Sequence, residues 1–172
     1  MKLIFATTVL ALSLAGAAYA DSSVKLSDVH LCCQSCVKGV QKAVAQVPGV
    51  KAESDMDTET VSLTAPDAAT LQKGVDSLIA AGYFGKSSDP AIKISADTGA
   101  KDEKVKSLKI ADTHLCCPSC VKAVNKALTG VNGVTGNTAT KGATSFEVTG
   151  DFNEKDVMAA LQKNGLTGHV SK

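Results

Sequence analysis

Two short blocks carry the chemistry of this chain: His30-Leu31-Cys32-Cys33-Gln34-Ser35-Cys36 and His114-Leu115-Cys116-Cys117-Pro118-Ser119-Cys120. Between them they hold all six cysteines and two of the three histidines. Cysteines used as staples would be spread out to join distant segments, so this clustering points to metal binding or thiol chemistry. Cys33 with Cys36 and Cys117 with Cys120 form two Cys-x-x-Cys pairs, each suited to one soft ion. Cys32, Cys116, His30 and His114 are further donors, so each block offers three thiolates and an imidazole. Two sulfurs favour a near-linear ion such as Cu(I) or Hg(II), a third admits trigonal Cu(I), and Cys3His suits tetrahedral Zn(II) or Cd(II).

The additional donors have plainer alternatives. Neighbours such as Cys32 and Cys33 point apart unless the loop bends, and Cys32 then reads as a small half-buried residue. His30 is a fourth donor, a hydrogen-bonding partner of a thiolate, or a strand-end residue, and His114 inherits the same choices. Asp28 and Asp112, two residues before each His, either orient the imidazole or stand solvated at a strand end. His169 aligns with Lys86 and reads as a surface residue.

The blocks belong to a longer repeat. His30 to His114 and Cys36 to Cys120 are both 84 positions apart, and Val37-Lys38-Gly39-Val40 is echoed by Val121-Lys122-Ala123-Val124. Pro48-Gly49-Val50 and Asn132-Gly133-Val134 correspond, as do Ala81-Gly82-Tyr83 and Asn164-Gly165-Leu166. Duplication divides the chain into two units of about 65 residues, near the lower limit for unaided folding.

Periodicity then assigns the elements that position the donors. In the first unit Val24-Lys25-Leu26 alternates as a strand, and Val37, Val40, Val44 and Val47 fall at helical spacing up to Pro48-Gly49. The cysteine block thus sits at a strand-to-helix turn, where first-turn N–H groups and the helix dipole favour thiolate, most of all at Cys36 and Cys120. Val50 to Met56 and Thr60 to Thr64 read as strands. Leu71, Val75, Leu78 and Ile79 form a second helical stripe closed by Gly82, and Tyr83-Phe84 begins a last strand. The second unit repeats the order, with Leu108 and Ile110, Val121 to Val131, Phe146 and Val148, Val157 and Leu161, then Val170. The result is α+β: two tandem ferredoxin-like βαββαβ domains, 21–88 and 106–172, joined by a polar linker, 89–105. Within the linker, Ala91 to Ile94 is a candidate short strand.

Residues 1–20 read as a cleavable secretory signal: Lys2, an apolar run from Leu3, and Ala18-Tyr19-Ala20 before the cut. A secreted or periplasmic product with no later membrane span follows. All 18 basic residues are Lys, and losing Lys2 leaves 17 against 17 acidic residues. Without a basic stripe, and with two Tyr, four Phe and no Trp, nucleic-acid binding lacks both its electrostatic and its stacking platform.

Cys33-x-x-Cys36 and Cys117-x-x-Cys120, Leu31 and Leu115, and the Gly82-Tyr83 and Gly165-Leu166 positions together resemble the heavy-metal-associated domain family. That family includes copper chaperones and the N-terminal arms of metal-transporting P-type ATPases. The resemblance extends over nearly all of the chain after residue 20, and an exported member is similar to periplasmic mercury-binding proteins. It implies one soft ion per cysteine pair, a carrier rather than an enzyme, and a metal-transporting or metal-receiving protein as partner. It also places Tyr83 beside the first metal loop as a shield. His30 and His114 stand where the family usually has Gly, and Cys32 and Cys116 where it has Thr or a similar residue. Some plant zinc-transporting ATPases are similar in having a Cys-Cys pair there, which leaves Cu(I) and Zn(II) both open.

The competing class is a thiol–disulfide oxidoreductase using the Cys-x-x-Cys pairs. Against it stand the absence of a proline after Pro118 to face the pair, the absence of Trp, and the short units. No phosphate-cradling or nucleophile-elbow motif occurs. The expectation is an exported metal chaperone, buffer or scavenger.

Overall fold

The structure is a computed structural model that describes residues 21–171. The expected signal segment lies outside the described residues. No helix among those described is long and apolar enough to cross a membrane.

Twelve elements follow in order: β1 (Ser22–Ser27), α1 (Gln34–Val44), β2 (Lys51–Asp55), β3 (Thr60–Ala65), α2 (Ala68–Ala80) and β4 (Lys86–Ser87), then β5 (Lys104–Ala111), α3 (Pro118–Thr129), β6 (Val134–Asn137), β7 (Ser145–Asn153), α4 (Glu154–Lys163) and β8 (His169–Ser171). They form two four-stranded antiparallel sheets, ordered β2-β3-β1-β4 and β6-β7-β5-β8, each with its own pair of helices. This is the ferredoxin-like plan twice over.

Alternation places Val24 and Leu26 of β1, and Val61 and Leu63 of β3, under the helices. Cys36, Val40, Ala43 and Val44 supply the inner stripe of α1, while Val37 and Val47 stay half-buried at its border. Leu71, Val75 and Leu78 do the same on α2, whose start is capped by the Asp67 carboxylate accepting from Thr70 N at 2.8 Å. In the second unit Ile110, Val148 and Phe152 meet Val124, Leu128, Val157 and Leu161. Each sheet thus closes its own core.

Two expected details differ. The last strand of the first unit lies at Lys86–Ser87, not at Tyr83-Phe84, because Tyr83 pairs instead with Leu166 in an isolated antiparallel bridge. Ala91 to Ile94 forms no strand; Ile92 is buried, and farther along Thr98 O accepts from Val170 N at 2.8 Å.

Among the described residues the units meet through loops and through the first turns of α1 and α3, where Cys36 faces Cys120. Thr167 N donates to Gly82 O at 3.0 Å, and Phe84 N to Gly165 O at 3.1 Å, across the junction. Gly82 (φ +85°) and Gly165 (φ +74°) sit in left-handed turns after α2 and α4. A Cβ on Gly82 would collide with the backbone of Asp112 to His114, and one on Gly165 with the backbone of Asp28 to His30. The glycines that end the two second helices are therefore the places where each unit meets the cysteine loop of the other.

Candidate metal centre

Each cysteine block leaves its strand through an aspartate in the left-handed region, Asp28 at φ 58° and Asp112 at φ 60°. Asp tolerates this conformation better than most residues, and the turn carries the chain off the sheet edge toward the helix. The Asp28 carboxylate pairs with Lys86 at 2.9 Å, so it holds the turn to β4 instead of orienting His30. Cys33 and Cys117 are the N-caps of α1 and α3, with Cys36 N and Cys120 N closing the first turns on their carbonyls at 2.9 and 3.1 Å. Pro118 at the start of α3 has its ring pre-set for that position.

The two blocks converge. Across the junction, Cys32 Sγ lies 3.2 Å from Cys117 Sγ and 3.6 Å from Cys120 Sγ, while Cys36 Sγ lies 3.5 Å from Cys116 Sγ and 3.9 Å from Cys120 Sγ. Within the units, Cys36 is 3.6 Å from Cys32 and 3.8 Å from Cys33, and Cys120 is 3.7 Å from both Cys116 and Cys117. Cys33 to Cys116, at 3.9 Å, completes the set. Exchanging the two units maps these contacts onto one another, with Cys32–Cys117 at 3.2 Å against Cys33–Cys116 at 3.9 Å as the one clear departure, so the sulfurs follow a pseudo-twofold axis that passes between Cys36 and Cys120. All six sulfurs thus form one connected group at the junction, where the sequence predicts a cysteine pair in each unit. The tension noted for adjacent cysteines is resolved because Cys32 and Cys116 find their partners in the opposite unit.

Three donor sets have ligand atoms within 4.8 Å of one another: Cys36, His114, Cys116 and Cys120; His30, Cys32 and Cys120; and Cys32, Cys33 and Cys117. Every set draws on both units. Cys36 and Cys120 are fully buried, whereas the other four cysteines are half-buried.

In the metal-free chain the thiols divide their protons unevenly. Cys36 is pulled far below its ordinary value, chiefly by the hydrogen bond from Cys120 and, against its burial, by contacts with His114, Cys116 and Cys32. Cys120 is correspondingly raised, because it keeps the proton it gives to Cys36. Burial raises Cys32 and Cys116. Burial also works against ionisation of Cys117, but the N–H of Cys120, the Cys32 thiol and the N–H of Ser119 outweigh it and bring Cys117 to about 6. The helix-start effect expected at Cys120 thus falls on the capping Cys117 instead.

The histidines break the symmetry. Tyr83 is buried, and its hydroxyl donates to Cys36 O at 2.8 Å and lies 3.0 Å from His114 Nε2. Burial and the nearby thiols raise the phenol, so it keeps its proton. Since that proton is given to Cys36 O, His114 Nε2 faces the hydroxyl as a donor, and Nδ1 is the ring nitrogen left for the sulfurs. The rings stack with centroids 4.5 Å apart, and Gly39 on α1 makes room for them, since a Cβ there would strike the Tyr83 hydroxyl. Tyr83 thus lies against Cys36 of its own loop and at the same time positions the imidazole of the other unit. At the matching place stand Leu166 and Ala123, and His30 Nε2 is buried without a partner. Burial lowers the His30 pKa and favours its neutral, metal-binding form. Pairing between Tyr83 and His114 was missed in the sequence, where only the occurrence of Gly39 with Tyr83, against Ala123 with Leu166, could have signalled it.

Tyr83→Phe is expected to weaken soft-metal affinity about 10–100-fold while leaving the fold intact, as removal of an outer partner of a ligating His does elsewhere. Competition with a Cu(I) chelator measures this, and Phe84→Leu serves as the control for altered packing.

No family model and no curated protein matches the chain. Among solved structures, the chain is similar to a copper-binding domain from HMA7, a P-type ATPase, at 19% identity, covering 40% of this chain and 96% of that one with a TM-score of 0.36. It is also similar to the apo HMA domain of a copper chaperone for superoxide dismutase, at 24% identity over 49% of this chain and 85% of that one, TM-score 0.36. The N-terminal soluble domains of Bacillus subtilis CopA match at 18% identity over 89% of this chain and 95% of that one, TM-score 0.30.

Proposed function

We propose that the chain is an exported, non-enzymatic carrier of soft metal ions, Cu(I) before Zn(II), acting as a chaperone or buffer. The observation that supports this most is the convergence of six free thiols and two imidazole rings on one junction between two small domains. Six sulfurs brought together this closely disfavour ionisation of one another, and a cation removes that repulsion. Neutral His30 and an oriented His114 add nitrogen donors to sulfur-rich sets, a composition that suits Cu(I) and Zn(II) and excludes hard ions such as Mg(II) or Ca(II).

Release follows from position. Cys33 and Cys117, half-buried at the outer ends of the sulfur array, are the thiolates a partner reaches first. A partner thiolate adds to the ion before Cys33 or Cys117 leaves, so the ion passes through an intermediate bound to both proteins and no free ion forms. A metal-receiving protein with its own exposed thiolates is the matching partner, and without one the chain acts as a buffer.

The redox reading has less support, because the fold is ferredoxin-like and not the thioredoxin-like one it needs. Native mass spectrometry of the anaerobic, reduced chain with Cu(I) or Zn(II) tests the choice. Retention of Cu(I) against a competing chelator, weakened by Cys33→Ser and Cys117→Ser together, is the expected result. A chain that retains no metal yet exchanges disulfides with a model substrate would reverse it.

A further inference from the structure

The sulfur contacts close four triangular faces: Cys33-Cys36-Cys116, Cys36-Cys116-Cys120, Cys32-Cys36-Cys120 and Cys32-Cys117-Cys120. Each face takes sulfurs from both units. With metal–sulfur bonds of about 2.3 Å, two sulfurs on one ion stand about 3.8 Å apart in a tetrahedral site, about 4.0 Å in a trigonal one and about 4.6 Å in a linear one. The edges here run from 3.2 Å for Cys32 to Cys117 up to 3.9 Å for Cys36 to Cys120. The longer edges have the spacing of a three- or four-coordinate ion, and the shorter ones open slightly as an ion binds.

The two inner faces share the Cys36–Cys120 edge, and each has an imidazole beside it. His114 groups with Cys36, Cys116 and Cys120, and His30 groups with Cys32 and Cys120. We propose that the two units close on one polynuclear Cu(I)–thiolate cluster, in which Cys36 and Cys120 bridge two core ions, His114 with Cys116 and His30 with Cys32 are the terminal ligands, and the outer faces at Cys33 and Cys117 admit further ions. This rests on the reading of the chain as a soft-metal carrier and deepens it. Each thiol that becomes a bridging or terminal thiolate gives its proton to solvent as the ion binds.

The shared edge also fixes how close the two ions stand. Two metals bonded at about 2.3 Å to both ends of a 3.9 Å sulfur edge lie about 2.4 Å apart. At equal separation two divalent ions repel four times as strongly as two monovalent ones. The thiolates around the edge offset that repulsion, so two Cu(I) ions fill both inner faces together. Because the two bridging positions are buried and come from different units, neither unit completes an inner face alone.

X-ray absorption at the copper edge, on the anaerobic full chain loaded with two equivalents of Cu(I), tests this. A copper–copper vector shorter than about 3 Å, with mixed sulfur and nitrogen neighbours, is expected. Two tightly held ions without that vector would overturn the cluster and leave the carrier reading standing, whereas a chain that retains no Cu(I) would overturn both.

Discussion

A Gly82→Ala, Gly165→Ala double variant is expected to keep two folded units and to lose Cu(I) affinity by about 10²–10⁴-fold, the range by which bringing two half-sites together on one chain raises binding. The argument starts from geometry. Both glycines hold positive φ, and the methyl group of alanine would meet the backbone of the opposite cysteine loop at Asp112 to His114 or at Asp28 to His30. Backbone cannot swing aside as a flexible side chain does, so the loops must separate. Because each unit has its own sheet, helices and buried residues, separation leaves the cores intact. Left-handed alanine itself costs about 1–2 kcal/mol per site, which would confound the result. Gly142→Ala provides the control, with φ at +79° and nothing within 4 Å of the added carbon. Far-UV circular dichroism should stay near native for all variants, with affinity lost only where the methyl group enters the junction.

The contrast between these glycines also explains what was legible in the sequence. Helices and strands followed from local spacing, because Val40 and Val44 on α1, or Val24 and Leu26 on β1, have to face one core whatever lies beyond it. The placement of the cysteine pairs at a strand-to-helix turn was legible for the same reason. The union of the two blocks was not, since it depends on left-handed turns at Asp28, Asp112, Gly82 and Gly165 that only a tertiary contact explains. Gly82 and Gly165 were visible as a repeated pair, but a repeated glycine after a helix reads as an ordinary cap. Tyr83 illustrates the same limit: as a residue of a fourth strand it would pair along its own sheet, whereas its bridge to Leu166 and its bond toward His114 cross to the other unit. The aspartates were read by their carboxylates, while the structure uses their backbone.

Cys36→Ser carries the second large effect. Cys36 is fully buried and is a corner of three of the four sulfur faces, whereas Cys33 is a corner of one. Serine keeps nearly the same volume, so the core of the first unit is retained, but its hydroxyl is a poor ligand for a soft ion. Loss of an outer partner already costs about 10–100-fold in metal affinity, and loss of a bridging thiolate costs no less. If the two Cys-x-x-Cys pairs acted independently, the Cys117–Cys120 pair would be untouched by this change.

The most direct measurement is therefore the affinity of the tightest Cu(I) ion in Cys36→Ser, by anaerobic competition with a chelator, beside the unaltered chain. A six-thiol centre shared by both units predicts a fall of about 100-fold or more, although Cys117 and Cys120 remain in place. An unchanged tightest affinity would contradict it.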